Sequence, residues 1–553
     1  MLSRVRSAFY NVVQNLDAFP VEDDQSDNGT ANGVGQSNDS RKLKFSYSRP
    51  QFLQLDSSEE IQASADHTLR PILVPRNISL LPWTAGYAET INAGKSARNE
   101  DQGACHAGAI SPERGCAQIL EQATPNELEH HLDHCRDCIP YRYFALFDGH
   151  AGAAVAVAAS RTLHRVIHLR LQQIAPLLRD RDKDGRIPLG PQYGAYSSAI
   201  FNNCDSKVTV DTLITGALET AFLEMDSQIA RDKKLYKMPG GCTVLVAIFI
   251  FGKLYLANAG DSRAIVCRCT RGEVIPMSQD FTPESERHRV KLLAQQRPEL
   301  LGNDFTYLEF LKRPTRADIG RKLLYRDVHM TGWAFKTITP EDLRLPVVCG
   351  EGKRSRVLAT IGVTRGFGDH DLKSQLSPVA IKPFLSAEPE VRIFEVSPGD
   401  EIDENDVLVM ATDGLWDVTN NERTLDIVKR SLSHFSPNAS LEEYKYRYVS
   451  AAQDLVMQSR GKISGSNWRT SDNRPATVDD ISVFVIPLRD YKREFERHVE
   501  RMRKLEEEEE KISTLQAADN GNEINGHLER MPATTTPGSV SLTSPKTTNA
   551  FDT

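Results

Sequence analysis

Four aspartates stand next to strand-like apolar runs at widely separated places in the chain. The runs 143–147, 254–257 and 407–410 end close to Asp148, Asp261 and Asp413, and the run 481–486 begins just after Asp479. One such aspartate is usually a turn or capping residue, but four indicate strand ends that converge at one sheet edge. Clustered carboxylates repel one another unless a cation neutralises them. The fold must therefore bring both halves of the chain to one cation site.

These residue types indicate hydrolytic chemistry. Hard oxygen ligands favour Mg²⁺ or Mn²⁺, whereas zinc prefers cysteine and histidine. A pair of such ions can activate water near neutral pH and hold a phosphate group for in-line attack. His150 follows Asp148 closely and is well placed to protonate the leaving oxygen. The residues alone therefore predict a metal-dependent hydrolase.

A series of motifs occurs in the order that a known enzyme family shows. They are Asn99-Glu-Asp101, Asp148-Gly-His-Ala-Gly152, Gly241-Cys-Thr-Val244, Asn258-Ala-Gly-Asp-Ser-Arg263, Thr364-Arg-Gly-Phe-Gly-Asp369, Thr412-Asp-Gly-Leu-Trp-Asp417 and Asp479-Asp-Ile-Ser482. Together they resemble the metal-dependent serine/threonine phosphatases of the protein phosphatase 2C type, over roughly Leu80 to Leu488. The closest resemblance is to the branch whose human members carry the final letters H, J and M, through segments 51–55, 64–67, 70–73 and 93–96 and a long insertion.

The resemblance implies a fold and a set of site residues. The fold is of the α+β class, a four-layer α-β-β-α sandwich with an inserted flap and with two metal ions in a cleft between the sheets. The implied ligands are Asp148 between the ions, Asp413 and Asp479 on one ion, Glu100 and the Gly149 carbonyl on the other with Asp101 acting through water, and Asp261 and Asp417 at a weaker third metal position. His150 takes the family's role of general acid, and Arg365 and Asp369 are expected to brace the site.

The implied activity is dephosphorylation in cell signalling. Water activated by two Mg²⁺ or Mn²⁺ ions hydrolyses phosphoserine or phosphothreonine directly, without a phosphoenzyme. The partners are phosphoprotein substrates, and the branch implies phosphorylated Rab-type small GTPases among them.

Two departures from the family pattern concern the phosphate and the metals. Ser96 occupies the position of the arginine that usually grips the substrate phosphate, so Lys95 or Arg98 is expected to bind the phosphate instead. Asp480 stands where the family usually has asparagine, and it either adds negative charge near the metals or faces solvent. These departures favour an alternative function, in which a catalytically weak phosphatase fold acts as a membrane-tethered binding protein. The intact Asp148, His150, Asp413 and Asp479 favour an active enzyme.

Composition and patterning divide the chain into four parts. They are an amphipathic N-terminal helix over 1–19, a flexible linker over 20–40, the phosphatase domain over 41–488, and a charged helix with a disordered tail over 489–553. The charged helix is expected from Asp490 to Lys511, and disorder from Gly521 onwards. The domain contains an insertion at about 284–354, interpreted as a substrate-recognition flap; the alternative is a surface insertion with solvated charge.

Charge and hydropathy set the expected location. A net charge of −8 gives no reason to expect nucleic-acid binding, and no apolar run is long enough to span a bilayer. The N-terminal helix is expected to touch a membrane surface reversibly; the alternatives are a helix docked on the protein itself and a transit peptide. The expected location is therefore cytoplasmic, with peripheral contact to Golgi or vesicle membranes.

One further cluster resembles a zinc site. Cys135 and Cys138 have ligand spacing, and His130, His131 and His134 lie beside them. Because the segment contains a single Cys-x-x-Cys pair, we interpret it as a solvated histidine-rich loop. The nine cysteines of the chain are expected to be reduced thiols.

Overall fold

The computed structural model describes residues 41–528, except positions 56, 114, 136, 180 and 466 and segments 117–131, 133–134, 182–184, 188–207, 398–400 and 436–439. The predicted helix over 1–19, the linker over 20–40 and the end of the tail, 529–553, lie outside the described residues. No helix among the described residues has the length and apolar character that a membrane span requires.

Ten strands build two large sheets, and we number them in chain order. They are β1 Gly86–Thr90, β2 Gln102–Ile110, β3 Ile139–Phe147, β4 Val244–Ile250, β5 Lys253–Ala259, β6 Arg263–Arg268, β7 Glu273–Pro276, β8 Glu390–Glu395, β9 Val407–Ala411 and β10 Ile481–Pro487. The first sheet has the order β1-β10-β9-β6-β7 and the second the order β8-β5-β4-β3-β2. Neighbouring strands are antiparallel throughout both sheets.

The central strands are apolar along their whole length because both of their faces are covered. All seven residues of β4 are buried, and so are all seven of β10. Such continuous β-branched and aromatic runs are typical of strands that lie inside a layered fold. The turn between β4 and β5 has positive φ at Phe251 (54°) and Gly252 (73°), as tight hairpins require.

Nine helices are described, and we number them in chain order. They are α1 Ser58–Ser64, α2 Ala154–Arg179, α3 Val210–Asp232, α4 Arg287–Gln296, α5 Asp413–Trp416, α6 Asn421–Ser433, α7 Leu441–Tyr444, α8 Arg447–Arg460 and α9 Leu488–Leu528. The capping residues explain where two of them begin. The Thr209 and Asn420 side chains accept hydrogen bonds from the free amides of the first turns of α3 and α6.

The buried residues form layers that confirm the predicted α-β-β-α sandwich. One core lies between the sheets and contains Phe144 and Phe249 from the second sheet and Met410 and Phe484 from the first. A second core packs α2 and α3 against the outer face of the second sheet. A third packs α6 and α8 against the outer face of the first sheet. The two sheets are thus held as the two middle layers.

The predicted insertion at 284–354 is a folded structure with its own small core. Helix α4 packs with residues such as Phe305, Val347 and Phe384 in a separate apolar cluster. A three-stranded sheet of residues 309–310, 322–326 and 334–337 adds to it. Short strands also pair 305–306 with 345–346, and 348–349 with 356–357. Long ordered insertions of this kind are usually functional.

Charged contacts tie the insertion's helix to its sheet. The Glu309 carboxylate accepts hydrogen bonds from Arg287 (3.0 Å) and Arg326 (2.6 Å) and pairs with Lys291 (3.1 Å). The same lobe exposes large apolar side chains. They are Leu311, Ile319, Trp333 and Phe335.

Two minor sheets stand beside the sandwich. Residues 149–150, 241–242 and 367–368 form a three-stranded sheet, and residues 462–464 pair with 467–469. The first of these joins the motif at Asp148 to the motif that ends at Asp369.

The C-terminal helix α9 spans both compact units of the chain, which divide between Glu496 and Arg497. In the first unit, Tyr491 packs into the core between the sheets. In the second unit, Arg503 pairs with Glu500 and Glu507 on the helix surface. The helix continues to Leu528, and the predicted disorder of the tail stays a prediction. Once a helix is nucleated, each added residue costs little, which explains this extension.

Candidate active site

Three carboxylates from different strand ends meet at one point. Asp148 follows β3 of the second sheet, Asp261 follows β5 after Gly260, and Asp413 follows β9 of the first sheet. One carboxylate oxygen from each lies within 4.8 Å of the others. Gly260 permits the turn before Asp261, because its φ is 151° and an added Cβ would lie 2.2 Å from Thr243.

Burial and mutual repulsion make this cluster electrostatically unfavourable by itself. Desolvation raises the pKa of Asp148 well above its ordinary value, and the charges of Asp101, Asp479 and Asp261 raise it further. Desolvation, followed by the Asp148 charge, raises the pKa of Asp413 in the same way. Desolvation and the Asp280 charge raise the pKa of Asp261 to about 7. A cation bound among these oxygens would offset both the cost of burying the charges and their mutual repulsion.

Asp479 lies at the same centre but has a different immediate partner. The Lys95 ammonium lies 2.5 Å from the Asp479 carboxylate. Burial lowers the pKa of Lys95, but the carboxylates of Asp479, Asp413 and Asp148 outweigh it and raise that pKa overall. The structure therefore brings Lys95 to the acidic centre. The grouping of Asp479 with Asp148 and Asp413 on one ion stays a prediction.

Arg98 lies differently from Lys95. Its guanidinium stacks over the ring of Tyr47, with 4.8 Å between the guanidinium carbon and the ring centroid. Its backbone carbonyl accepts a hydrogen bond from the Ser96 hydroxyl (2.6 Å). Of the two candidate phosphate ligands, Lys95 is thus the one whose positive charge lies beside the acidic cluster.

Glu100 and Gly149, which are predicted to bind the same ion, lie in direct contact. A Cβ added at Gly149 would lie 2.4 Å from the Glu100 carbonyl oxygen, so only glycine fits there. The Glu100 carboxylate accepts a hydrogen bond from the Gly152 amide (2.7 Å). Desolvation, followed by the Asp480 charge, raises its pKa to about 7. Asp101 is buried nearby, and its carboxylate accepts a hydrogen bond from the Thr412 hydroxyl (2.8 Å).

His150 is held by a carboxylate. Its Nε2 lies 2.7 Å from Asp369 Oδ2, and its side chain is 31% exposed, so one edge of the ring remains accessible. Burial lowers the pKa of His150, but the Asp369 carboxylate outweighs it and raises that pKa overall. The protonated imidazole is the form a general acid needs. Asp369 is thus a positioning residue rather than only a brace.

Local backbone geometry lets Asp369 reach His150. Asp369 has a φ of 54°, and a Cβ added at Gly241 would lie 2.3 Å from its carboxylate oxygen. Arg365, the other expected brace, donates to Glu286 and stacks on Phe281. Asp369 therefore supports the site through His150, and Arg365 supports it through Glu286.

Asp480 is buried and links two parts of the site. Its Oδ1 accepts hydrogen bonds from the Asn92 amide (2.7 Å) and side chain (3.1 Å), and its Oδ2 accepts one from the Glu100 amide (3.1 Å). Desolvation, followed by the Asp479 charge, raises its pKa to about 6. Of the two alternatives that the sequence left open for Asp480, solvent exposure is wrong, because Asp480 is buried and fastens the loop that carries Lys95 and Glu100.

Two buried arginines that sequence reasoning missed hold the backbone of the site. Arg49 donates to both Glu89 carboxylate oxygens (2.7 Å each) and to the Asp101 carbonyl (2.7 Å). Arg70 donates to the carbonyls of Thr477 (2.8 Å) and Asp479 (2.7 Å). Neither belongs to a catalytic motif, so only the unusual burial that the fold gives them identifies their role.

Asp417 lies apart from the three-carboxylate cluster and is paired with the insertion. The Lys353 ammonium lies 2.6 Å from its Oδ1, and both side chains are exposed to solvent. Asp417 and Asp479 also line one cavity of about 440 Å³, together with Thr470, Arg474 and Val478. Asp479 therefore connects this cavity to the acidic centre, and Arg474 gives the cavity a basic side chain.

The donor set fits divalent cations of the hard type. The clustered atoms are carboxylate oxygens, and burial and mutual repulsion raise their pKa values. Mg²⁺ and Mn²⁺ bind such oxygen sets, whereas thiolates and imidazoles are the softer alternatives. The geometry therefore forms a candidate metal centre of carboxylates beside His150.

Comparison with known proteins identifies the class. The family model for protein phosphatase 2C matches residues 118–296 and 341–455. This chain belongs to the protein phosphatase 2C family of serine/threonine phosphatases, as its motifs predicted. The unmatched residues 297–340 fall within the insertion, while Glu100 and Asp479 lie outside the matched ranges.

The relatives agree with the predicted branch. Human protein phosphatase 1H is 45% identical over 88% of this chain and 99% of its own length. Mouse protein phosphatase 1J is 45% identical over 83% of this chain and 89% of its own length. A solved structure of serine-threonine phosphatase 2C from Toxoplasma gondii aligns with 76% of this chain and 99% of that one, at 17% identity and a TM-score of 0.34, a likeness too low to add to the assignment.

Removing one clustered carboxylate should stabilise the metal-free protein. In chelator, Asp413→Asn relieves repulsion among buried charges, so we expect a melting temperature roughly 2–6 °C higher than that of the wild type. With Mn²⁺ at about 100 times its dissociation constant, the wild type gains about 2.7 kcal/mol from binding, and the variant gains much less. Differential scanning calorimetry with and without Mn²⁺ measures both changes.

Asp426→Asn is the matched control, because this carboxylate is exposed on α6. Asp426→Asn should leave the melting temperature unchanged both in chelator and in Mn²⁺. An Asp413→Asn protein that melts no higher than the wild type in chelator would contradict the repulsion argument.

Proposed function

We propose that this protein is an Mg²⁺- or Mn²⁺-dependent serine/threonine phosphatase that is active rather than a catalytically weak binding protein. The observation that supports this most directly is the meeting of Asp148, Asp261 and Asp413 within 4.8 Å. Asp148, Gly149, Glu100, Asp101, Asp413 and Asp479 would hold two ions, and Asp261 and Asp417 a weaker third. When bound, the ions supply an activated water for attack on phosphorus.

The chain's own side chains supply the remaining chemistry. His150, protonated and held by Asp369, donates its proton to the departing serine or threonine oxygen. Lys95 neutralises charge at the acidic centre and lies where it would meet a substrate phosphate once Asp479 turns to a metal. The cavity lined by Thr470 and Arg474 offers a place for the peptide beside the phosphate.

We also propose that the insertion recognises a folded protein substrate, with phosphorylated Rab-type small GTPases as the class. Leu311, Trp333 and Phe335 are exposed on the insertion, and such exposed apolar groups are typical of a protein-binding surface. The Lys353–Asp417 pair brings the insertion to the acidic region, where a bound substrate would meet both. The resemblance to the H, J and M branch supports the substrate class.

For location we propose the cytoplasm, with reversible contact to Golgi or vesicle membranes through the amphipathic segment 1–19. Its apolar positions recur at helical spacing, and Arg4 and Arg6 would lie near lipid headgroups. A single amphipathic helix binds weakly, so the contact is peripheral. Such a location would suit a substrate that itself sits on membranes.

The general-acid role of His150 predicts a dependence on the leaving group. His150→Gln should lower kcat on a phosphothreonine peptide by about 10²- to 10⁴-fold, because the alkoxide needs a proton to leave. On p-nitrophenyl phosphate, whose leaving group is stable as an anion, the loss should be much smaller. Steady-state kinetics on both substrates, in Mn²⁺ and then in chelator, measure the effect.

No turnover of either substrate by the wild type would contradict the enzyme and favour the binding-protein alternative. Turnover that persists in chelator would contradict the metal dependence alone. Equal losses on the two substrates would contradict the general-acid role alone. His434→Gln, a histidine at the end of α6, is the matched control and should keep wild-type rates.

The recognition role of the insertion predicts selective loss on protein substrates. Phe335→Ser should lower kcat/KM on a phosphorylated Rab-type GTPase about 5- to 100-fold, because truncating a central aromatic contact costs about 1–3 kcal/mol. Turnover of a peptide that carries the same phosphosite should not change. Leu235→Ser, equally exposed on another part of the domain, is the control. Parallel losses on protein and peptide would contradict this role.

The membrane contact predicts a change in fractionation without a change in catalysis. Deletion of residues 1–19 should move the protein from the membrane pellet to the supernatant, because the apolar helix face is the anchor. Peptide hydrolysis should stay unchanged. Val5→Asp is a subtler variant that keeps chain length and charges the apolar face. If both variants fractionate like the wild type, residues 1–19 are not the membrane anchor.

A further inference from the structure

Three cysteines gather at the base of the long connection between β2 and β3. This connection, residues 111–138, leaves β2 at Ile110 and enters β3 at Ile139. Cys116 lies near its beginning, in a helical turn, and Cys135 and Cys138 lie at its end. The three thiols therefore lie at the two ends of the connection.

The sulfur atoms are close enough to share one ligand. All three Sγ atoms lie within 4.8 Å of one another, and all three thiols are free. The Cys116 and Cys135 Sγ atoms are 3.6 Å apart, and those of Cys135 and Cys138 are 2.6 Å apart. Zinc–sulfur bonds of about 2.3 Å in a tetrahedron place the sulfurs about 3.8 Å apart. The first pair matches this spacing, and the second must open by about 1 Å.

The cluster lies beside a few buried apolar side chains. Among the described residues these are Ala109, Leu132 and Cys138. Linking residues that are far apart in the sequence removes conformational entropy from the unfolded chain. The cysteine cluster stands where such a link would be most effective.

The chemistry of this cluster differs from that of the catalytic centre. Here the donors are sulfurs, which suit zinc, whereas the catalytic donors are carboxylate oxygens, which suit Mg²⁺ or Mn²⁺. Burial raises the pKa of both Cys116 and Cys138, so without a cation these thiols keep their protons. Zinc would displace the protons and bind the thiolates.

We propose that Cys116, Cys135 and Cys138 bind one structural zinc ion that fastens the connection between β2 and β3. Water or a further side chain completes the four ligands. The sequence interpretation of a solvated histidine-rich loop weighed Cys135 and Cys138 with the neighbouring histidines, but not with Cys116. Cys116 is far from that pair in the sequence, so the third ligand became visible only in the fold. The neighbouring His130, His131 and His134 lie outside the described residues.

The test uses the full chain, purified without chelator and dialysed against excess Mg²⁺ to clear zinc from the carboxylate centre. Mass spectrometry of the metals should find about one zinc per chain, the stoichiometry of a single structural site. Cys116→Ser, Cys135→Ser and Cys138→Ser should each lose most of it. Cys349→Ser, a half-buried thiol in the insertion, and Asp413→Asn, which alters the carboxylate centre, are controls that should keep it.

A second measurement covers variants that fail to fold. In the wild type, bound zinc should protect the three cysteines from alkylation, and a zinc-selective chelator should expose all three together. Cobalt substitution should give thiolate-to-cobalt charge-transfer absorption. The proposal is overturned by wild-type protein that holds no zinc with its thiols free, by a Cys135–Cys138 disulfide in freshly purified protein, or by zinc that Asp413→Asn removes and the cysteine variants keep. Because this zinc is separate from the catalytic ions, loss of phosphatase activity alone would not bear on it.

Discussion

The structure depends on holding several carboxylates together where they repel one another. Asp148, Asp261 and Asp413 meet within 4.8 Å, and Glu100, Asp101, Asp479 and Asp480 lie around them. Buried like charges carry a large free-energy cost unless opposite charge or hydrogen bonds offset it. The surrounding fold supplies part of that compensation through the positive charges of Lys95, Arg49 and Arg70. A cation bound among the carboxylates would supply more.

This cost explains why a layered sandwich suits the chemistry. The acidic residues come from ends of strands in both sheets, so the centre exists only when the two sheets are packed on each other. The apolar core between the sheets therefore fixes the spacing of charged groups that would otherwise separate. The stability of the core and the assembly of the acidic centre are consequently coupled. A more stable core can hold carboxylates together against a larger repulsion.

The strand ends and their aspartates could be read from the sequence, because apolar runs that stop at Asp-Gly are local patterns. The layered fold and a supporting role for Asp369 followed from the family motifs, whereas the contact of Asp369 with His150 did not. The roles of Arg49, Arg70 and Asp480 could not be predicted, since each acts on a backbone group far away in the sequence. The same holds for the Lys95–Asp479 pair and for Cys116. Contacts of this kind leave no periodicity and no motif, so only the three-dimensional arrangement identifies them.

The clamp formed by Arg49 has a consequence for where the catalytic unit begins. The family model starts at residue 118, yet Arg49 grips the Asp101 carbonyl and the Glu89 carboxylate beneath the active centre. Glu89 would then be a buried charge without its arginine in any fragment that starts later. The region upstream of the recognisable family sequence is therefore an integral part of the enzyme. Trimming that removes Arg49 would therefore weaken the support beneath the acidic centre while leaving every predicted catalytic motif in the chain.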